Sequence, residues 1–224
     1  MIKKIFTTIE TKNENLILES ILEHSRLDGE ELCLLKKIID LSSHYPLNEL
    51  ESLYSNICKI NADAKDIFKH IYNKIKQYSV DNRKGVEILH LHLKVEQTSA
   101  YILKSAQHIL IYTRLEQQYP KQIFDRLTTL CELISTMHLY FNLSLEKYSQ
   151  NKYCTSEYIS KIIDVEILVR NHHLESLQFV LEHANKNTLP LGSIRCLENL
   201  LSGLEDIASV IFESTVALEC LLLN

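Results

Sequence analysis

Residues 50–75 read LESLYSNICKINADAKDIFKHIYNKI and decide the fold class. The apolar residues of this stretch recur in steps of three and four, which places them along one face of an α-helix. They are Leu50, Leu53, Ile57, Ile60, Ala64, Ile67, Ile71 and Ile75. A single apolar stripe of this length predicts a long helix that packs in a bundle.

The same spacing returns further along the chain, at Ile123–Phe141 and at Leu197–Ile211, while alternation with a period of two is not evident. Turn-forming residues interrupt the periodic stretches at 44–46, 78–85, 119–120, 149–155 and 185–192. Six helices are therefore predicted, at residues 13–42, 47–78, 84–118, 121–147, 156–184 and 193–223. Ser156 and Ser193 are expected to cap the last two helices, and the sequence Asp28-Gly29-Glu30 is expected to interrupt the first.

The composition agrees with an all-α protein, because 4 Gly and 3 Pro in 224 residues provide few turns. With 46% hydrophobic and 24% charged residues, the chain has enough apolar material for a core. A formal net charge of -5 gives no basic surface for nucleic acid, and no signal peptide or membrane-spanning run is visible. The 6 Cys lack a CxxC pair, so we expect a cytoplasmic protein with reduced thiols.

The order of helices repeats within the chain. The third and sixth helices align with a shift of 109 residues, which pairs Leu91 with Leu200 and Ile102 with Ile211. The second and fifth helices align with a shift of 105. We therefore predict two tandem antiparallel three-helix bundles, residues 1–119 and 120–224, that form one compact unit.

This organisation resembles the PhoU-like family, and most closely its divergent members that accompany phosphate transporters. The opening Met1-Ile2-Lys3-Lys4-Ile5-Phe6 is similar to the start of that family, and Leu204-Glu205-Asp206-Ile207-Ala208-Ser209 is similar to its signature on the last helix. The resemblance covers nearly the whole chain. It implies a PhoU-like fold and a role in phosphate regulation, at the inner membrane or in the cytoplasm.

The family repeats an acidic residue followed four positions later by aspartate, on the second and third helix of each half, and these pairs can hold metal clusters. Carried over by position, the pairs here are Asn61 and Lys65, Glu96 and Ala100, Glu166 and Arg170, and Glu205 and Ser209. All four aspartates are replaced, two of them by cations that repel a metal ion. We therefore expect no metal cofactor, although Asp206 beside Glu205 retains an acidic group.

Charge pairs are one alternative to the metal clusters at these positions. Lys65 would then face Glu96 in the first half, and Arg170 would face Glu166 or Glu205 in the second. If such a pair is buried, removing one partner costs about 3–5 kcal/mol, so Glu205→Ala would clearly lower the melting temperature. The other alternative is that these residues are solvated positions on ordinary amphipathic helices.

Other candidate sites are weaker. His90 and His92 are two residues apart, so on a helix they point about 200 degrees apart and cannot bind one ion together. The sequence contains no phosphate loop, nucleophile elbow or HExxH motif, so we expect no enzyme.

Two functions remain open. The first is a regulator or accessory protein of phosphate transport that contacts a membrane transporter or its regulator through helix faces. The second is a helical scaffold or adaptor, monomeric or homodimeric, that has no phosphate role. A metalloenzyme would need several carboxylates and a Glu-x-x-His pair that converge in one core, and the sequence does not show that set.

Overall fold

The computed structural model describes residues 2–42, 47–78, 83–114, 120–148, 150 and 152–223, and the only regular secondary structure within them is α-helix. The helices are α1 (Ile2–Ser42), α2 (Leu47–Tyr78), α3 (Arg83–Arg114), α4 (Lys121–Tyr148), α5 (Lys152–Asn185) and α6 (Leu191–Leu223). The number and order of the predicted helices are confirmed. The predicted break at 44–46 and the predicted end of the third helix at 118 lie outside the described residues. Of the predicted break at 78–85, residues 79–82 lie outside them, while residue 78 ends α2 and residues 83–85 belong to α3.

Helix ends differ from the prediction at three places. α1 begins at Ile2 and not at residue 13. α5 begins four residues before Ser156 and α6 begins two residues before Ser193, so neither predicted serine cap precedes its helix. The backbone N–H of Ile194 donates to the carbonyl of Pro190, so the turn that starts α6 is built on Pro190. At the other end of this loop, Asn187 has a φ of 52° and the N–H of Thr188 donates to the carbonyl of His183. This left-handed residue closes α5 in the manner of a Schellman motif.

The predicted interruption of α1 at Asp28-Gly29-Glu30 is wrong, because α1 runs unbroken through these residues. Gly29 lies against α4. A Cβ atom at this position would lie 3.2 Å from Cε1 of His138, which is tighter than an ordinary contact. The glycine therefore allows α1 to approach the imidazole of His138.

The six helices form a central ring of four with one helix on each side. In the ring α1 packs on α3, α3 on α6, α6 on α4 and α4 on α1, while α2 covers α1 and α3 and α5 covers α4 and α6. The buried side chains form one continuous apolar cluster that includes Ile38, Leu91, Ile134 and Leu204. In the described part of the chain, no helix is long and apolar enough to cross a membrane.

Helices α3 and α6 lie very close to each other at Gly203. A Cβ atom there would lie 2.6 Å from Oγ of Ser105, a buried hydroxyl with no hydrogen-bond partner in the described residues. Overpacking of this kind costs about 1–3 kcal/mol, against a gain of about 0.5–1 kcal/mol from replacing a helical glycine by alanine. We expect Gly203→Ala to destabilise the protein, and Ser105→Ala to reverse the loss when the two are combined. Urea unfolding of the wild type, the two single variants and the double variant tests this. An equal effect of Gly203→Ala in the presence and absence of Ser105→Ala would contradict it.

Candidate functional site

Two helices of the first half bring polar side chains together in the interior. α1 carries His24, Asp28 and Glu31, and α3 carries a matching set with the same spacing, His92, Glu96 and Ser99. Each residue of the α1 set is 68 positions before its counterpart on α3. His24 contacts its counterpart His92, and Glu31 contacts its counterpart Ser99. We call these six residues the α1–α3 polar cluster. All are buried except Glu96, whose side chain is 20% exposed.

The imidazole of His24 lies close to three other members of the cluster, His92, Glu96 and Asp28. Its Nδ1 is 3.4 Å from Nε2 of His92. Its Nε2 is 3.5 Å from Oε2 of Glu96 and 3.9 Å from Oδ1 of Asp28. Phe68 from α2 covers His92, with 4.6 Å between ring centroids. His24 is therefore the point where the two imidazoles and two of the carboxyl groups meet.

Glu31 lies at the other end of the cluster and is held by hydrogen bonds. The hydroxyl of Ser99 donates to Oε2 of Glu31 at 2.8 Å, and Nδ2 of Asn61 donates to Oγ of Ser99 at 2.7 Å. Asn61 belongs to α2 and is buried. The three helices of the first half thus meet in one short chain of hydrogen bonds.

Burial favours the uncharged form of the groups in the cluster. It raises the pKa of Glu31 to about 8 and places the pKa of Asp28 well above its usual range, where the charges of Glu31 and Glu96 add to the effect. Burial also raises the pKa of Glu96, although the charge of Lys65 opposes that rise. It lowers the pKa of His24 to about 4 and that of His92 to about 3. Each of these shifts favours the uncharged form of the group concerned.

Several polar atoms of the cluster have no hydrogen-bond partner among the described residues. They are Nε2 of His24, both carboxyl oxygens of Asp28, Oε1 of Glu31, Nδ1 of His92 and Oε2 of Glu96. Most buried polar atoms in proteins are hydrogen-bonded, so such a concentration of unsatisfied atoms marks a site and not ordinary packing.

A second polar contact links α1 to the other half. Oγ of Ser25 donates to Oδ1 of Asn142 at 2.6 Å and lies 3.1 Å from Nε2 of His138. His138 is buried against Gly29, and burial lowers its pKa to about 4. These residues lie on the side of α1 that faces α4.

Comparison with solved structures identifies the fold. Two crystal structures of PhoU-like proteins from Shewanella oneidensis superpose with TM-scores of 0.79, at 9% and 8% sequence identity, and each match covers 92% of this chain and 99% of the other. PhoU from Pseudomonas aeruginosa superposes with a TM-score of 0.64 at 11% identity, over 92% of this chain and 97% of the other. The chain has the PhoU-like fold. No family model and no curated protein matches the sequence.

The structure of this PhoU-like chain brings the predicted site residues of the first half together. Glu96 belongs to the α1–α3 polar cluster, and Asn61 donates a hydrogen bond to its Ser99. The charge of Lys65 acts on both Glu31 and Glu96, although Lys65 itself is exposed. Ala100 is also exposed. Lys65 is therefore positioned at the rim of the cluster.

The second half has no comparable interior cluster at its predicted positions. Arg170 pairs with Glu166 one turn away on α5, and its side chain is 66% exposed. Oε2 of Glu205 is 3.7 Å from Nδ1 of His173, and its side chain is 48% exposed. Asp206 is half-buried on α6. The expectation that Glu205 belongs to a buried charge pair is therefore wrong.

The residues at these positions do not fit the metal clusters that the fold family implies. Lys65 and Arg170 replace two of the carboxylates, and both are exposed. Across the described residues, no group of three or more His, Cys, Asp and Glu side chains is arranged to hold a metal ion.

The exposure of Glu205 changes the expected effect of its removal. A half-exposed ion pair contributes little, so Glu205→Ala should change the free energy of unfolding by less than about 0.5 kcal/mol. Ser99→Ala, measured beside it, should cost about 1–3 kcal/mol because Glu31 and Asn61 lose their buried partner. Urea unfolding at neutral pH tests both, and a larger loss for Glu205→Ala than for Ser99→Ala would contradict the assignment.

The sequence prediction missed His24, Asp28, Glu31, His92 and Ser99 as site residues. The signal was present, because His-x3-acid occurs at the same interval on the first and third helices, followed three residues later by Glu31 and Ser99. This shared spacing predicts one common face on each helix. It does not predict that the two faces meet, because that depends on the register of α1 against α3.

Proposed function

We propose that this PhoU-like chain is a non-enzymatic regulator or accessory protein of phosphate transport that acts by contact through a helix face. Two kinds of support exist: the fold resembles that of PhoU-like phosphate regulatory proteins, and one outer helix carries an unusual exposed face. The proposed partner is a membrane phosphate transporter or its regulator. We propose a cytoplasmic protein at the membrane surface, with no metal cofactor and no nucleic-acid partner.

The observation that carries the proposal is an apolar stripe on α5. Ile163, Ile167, Leu174 and Leu181 lie within about 40 degrees of one another around the helix and are all at least 43% exposed. We call these four residues the α5 stripe. α5 also buries Ile162, Val169 and Val180 on its inner face, so it is apolar on two sides.

The corresponding outer helix of the first half provides an internal comparison. α2 exposes charged and polar residues such as Asp63, Lys69 and Asn73, and Tyr72 is the one exposed large apolar side chain on its described residues. The two helices occupy equivalent outer positions, α2 against α1 and α3 and α5 against α4 and α6. Packing in such a position therefore does not by itself require the α5 stripe. Large apolar side chains exposed along one helix face are typical of a protein interaction site.

Phosphate uptake in cells tests the proposal. Deletion of the gene should change phosphate uptake, and the wild-type chain should restore it. An Ile167→Ser/Leu174→Ser chain should fold but fail to restore uptake, while a Tyr72→Ser chain, altered on α2, should restore it. Unchanged uptake after deletion would contradict a phosphate role.

A helical adaptor without a phosphate role is the second candidate, and the α5 stripe supports it equally. In that case deletion leaves phosphate uptake unchanged, and the stripe binds another protein or a second copy of the chain. Sedimentation of the wild-type and Ile167→Ser/Leu174→Ser proteins distinguishes the homodimer, because a dimer formed through the stripe becomes monomeric in the variant.

A further inference from the structure

We propose that the α1–α3 polar cluster is a proton-binding site, in which the carboxyl groups of Asp28 and Glu31 hold protons at neutral pH. The proposal does not depend on a role in phosphate transport. It concerns what neutralises the buried acidic groups of this chain.

The acidic groups of the cluster outnumber the cations near it. Three carboxyl groups, those of Asp28, Glu31 and Glu96, act on one another electrostatically. Facing them are two imidazoles, of His24 and His92, and from α2 the ammonium group of Lys65, which is exposed at the rim. His138 of α4 contacts Ser25 and lies beside Gly29, on the adjacent side of α1. One exposed cation does not neutralise three acidic groups in an interior of low dielectric constant, so buried carboxyl groups that face one another retain protons.

Carboxyl oxygens of Asp28 and Glu31 lack hydrogen-bond donors among the described residues. Asp28 is 1% exposed and neither of its oxygens has a hydrogen-bond donor among the described residues, and Oε1 of Glu31 also lacks one there. A carboxylate needs donors at both oxygens, whereas a protonated carboxyl group is itself a donor. Nε2 of His24 lies 3.9 Å from Oδ1 of Asp28, which is too far for a hydrogen bond, so it does not supply that donor. A proton on each carboxyl group therefore removes a buried charge whose oxygens lack donors among the described residues.

A metal ion is the alternative to protons for neutralising these carboxyl groups. His24, Asp28 and Glu96 are residue types that bind transition metals. As the described side chains lie, however, they do not form a group of three arranged around one ion. Protons neutralise the same carboxyl groups without such an arrangement.

Infrared spectroscopy of the whole protein at pH 7 tests the proposal, because protonated carboxyl groups absorb apart from carboxylates. We expect a protonated-carboxyl band in the wild type that Asp28→Asn and Glu31→Gln each diminish, and that shrinks further when both are combined. Glu132→Gln is the matched control, since Glu132 is an exposed acid paired with Lys36, and it should leave the band unchanged. Absence of the band from the wild type, or a band that neither variant diminishes, would overturn the proposal.

A metal titration separates protons from a metal ion. Zn²⁺ added to the metal-free protein at pH 7 should show no stoichiometric binding that depends on His24. Binding of one Zn²⁺ that is lost in both His24→Ala and Asp28→Asn, with the band of the wild type disappearing as the metal binds, would overturn the proposal and assign the cluster to a metal. Circular dichroism of each variant confirms that it is folded before either measurement is interpreted.

Discussion

Raising the pH from about 6.5 to about 8 should lower the free energy of unfolding by about 2 kcal/mol through Glu31 alone. In the unfolded chain this carboxyl group loses its proton near its ordinary pKa of 4.5, whereas burial keeps its pKa near 8 in the folded protein. Between these two values the folded state binds the extra proton, so stability falls as the pH rises. Asp28, whose pKa is also raised by burial, adds to the fall in the same direction.

The buried histidines act in the opposite direction at the lower end of this range. Burial lowers the pKa of His24, His92 and His138, so near pH 6.5 the unfolded chain binds protons that the folded protein does not. This destabilising contribution is about 0.4 kcal/mol for each histidine at pH 6.5 and disappears as the pH rises to 8. The difference between the wild type and Glu31→Gln isolates the contribution of Glu31. Guanidinium unfolding at pH 6.5, 7.2 and 8.0 measures the expected slope. Glu31→Gln should flatten it, and Glu132→Gln should not. Equal slopes in Glu31→Gln and the wild type would show that Glu31 is already ionised in the folded protein.

Most of the fold could be predicted from the sequence because helix periodicity is a local property. The stretch from Leu50 to Ile75 lies within α2, and the predicted bounds of that helix are the observed ones. Helix ends were less predictable where they depend on packing. In the sequence Gly29 looks like a helix breaker. In the structure it lies against the imidazole of His138, and that contact joins residues far apart in the chain.

The candidate site was only partly predictable, for a physical reason. Resemblance to a family indicated Glu96, which belongs to the polar cluster, and Asn61 and Lys65, which border it. It did not indicate α1, whose Asp28 and Glu31 supply the most deeply buried acidic groups. A buried acid on an amphipathic helix looks the same in sequence as a solvated one, and the packing of α1 against α3 alone separates the two.

Phe141→Ala should cost about 3–5 kcal/mol, the largest loss that we expect from a single substitution. Phe141 is 2% exposed on α4, the helix that packs on α1, α5 and α6, and its ring centroid is 6.5 Å from that of His138. Its removal leaves a cavity beside the contact between the two halves. Tyr153→Ala is the matched control, because Tyr153 is 80% exposed on α5 and should change stability by less than about 0.5 kcal/mol.

The same variant tests whether the two halves unfold as one unit. Because the buried side chains of both halves form one apolar cluster, a cavity on α4 should lower the stability of α2 as well as that of α5. Hydrogen exchange of the α2 and α5 amides in Phe141→Ala should therefore accelerate together, in step with the global loss measured by urea unfolding. If the α5 amides alone were faster, the halves would be separate folding units, and the polar contacts of Ser25 with His138 and Asn142 would join two domains that unfold independently.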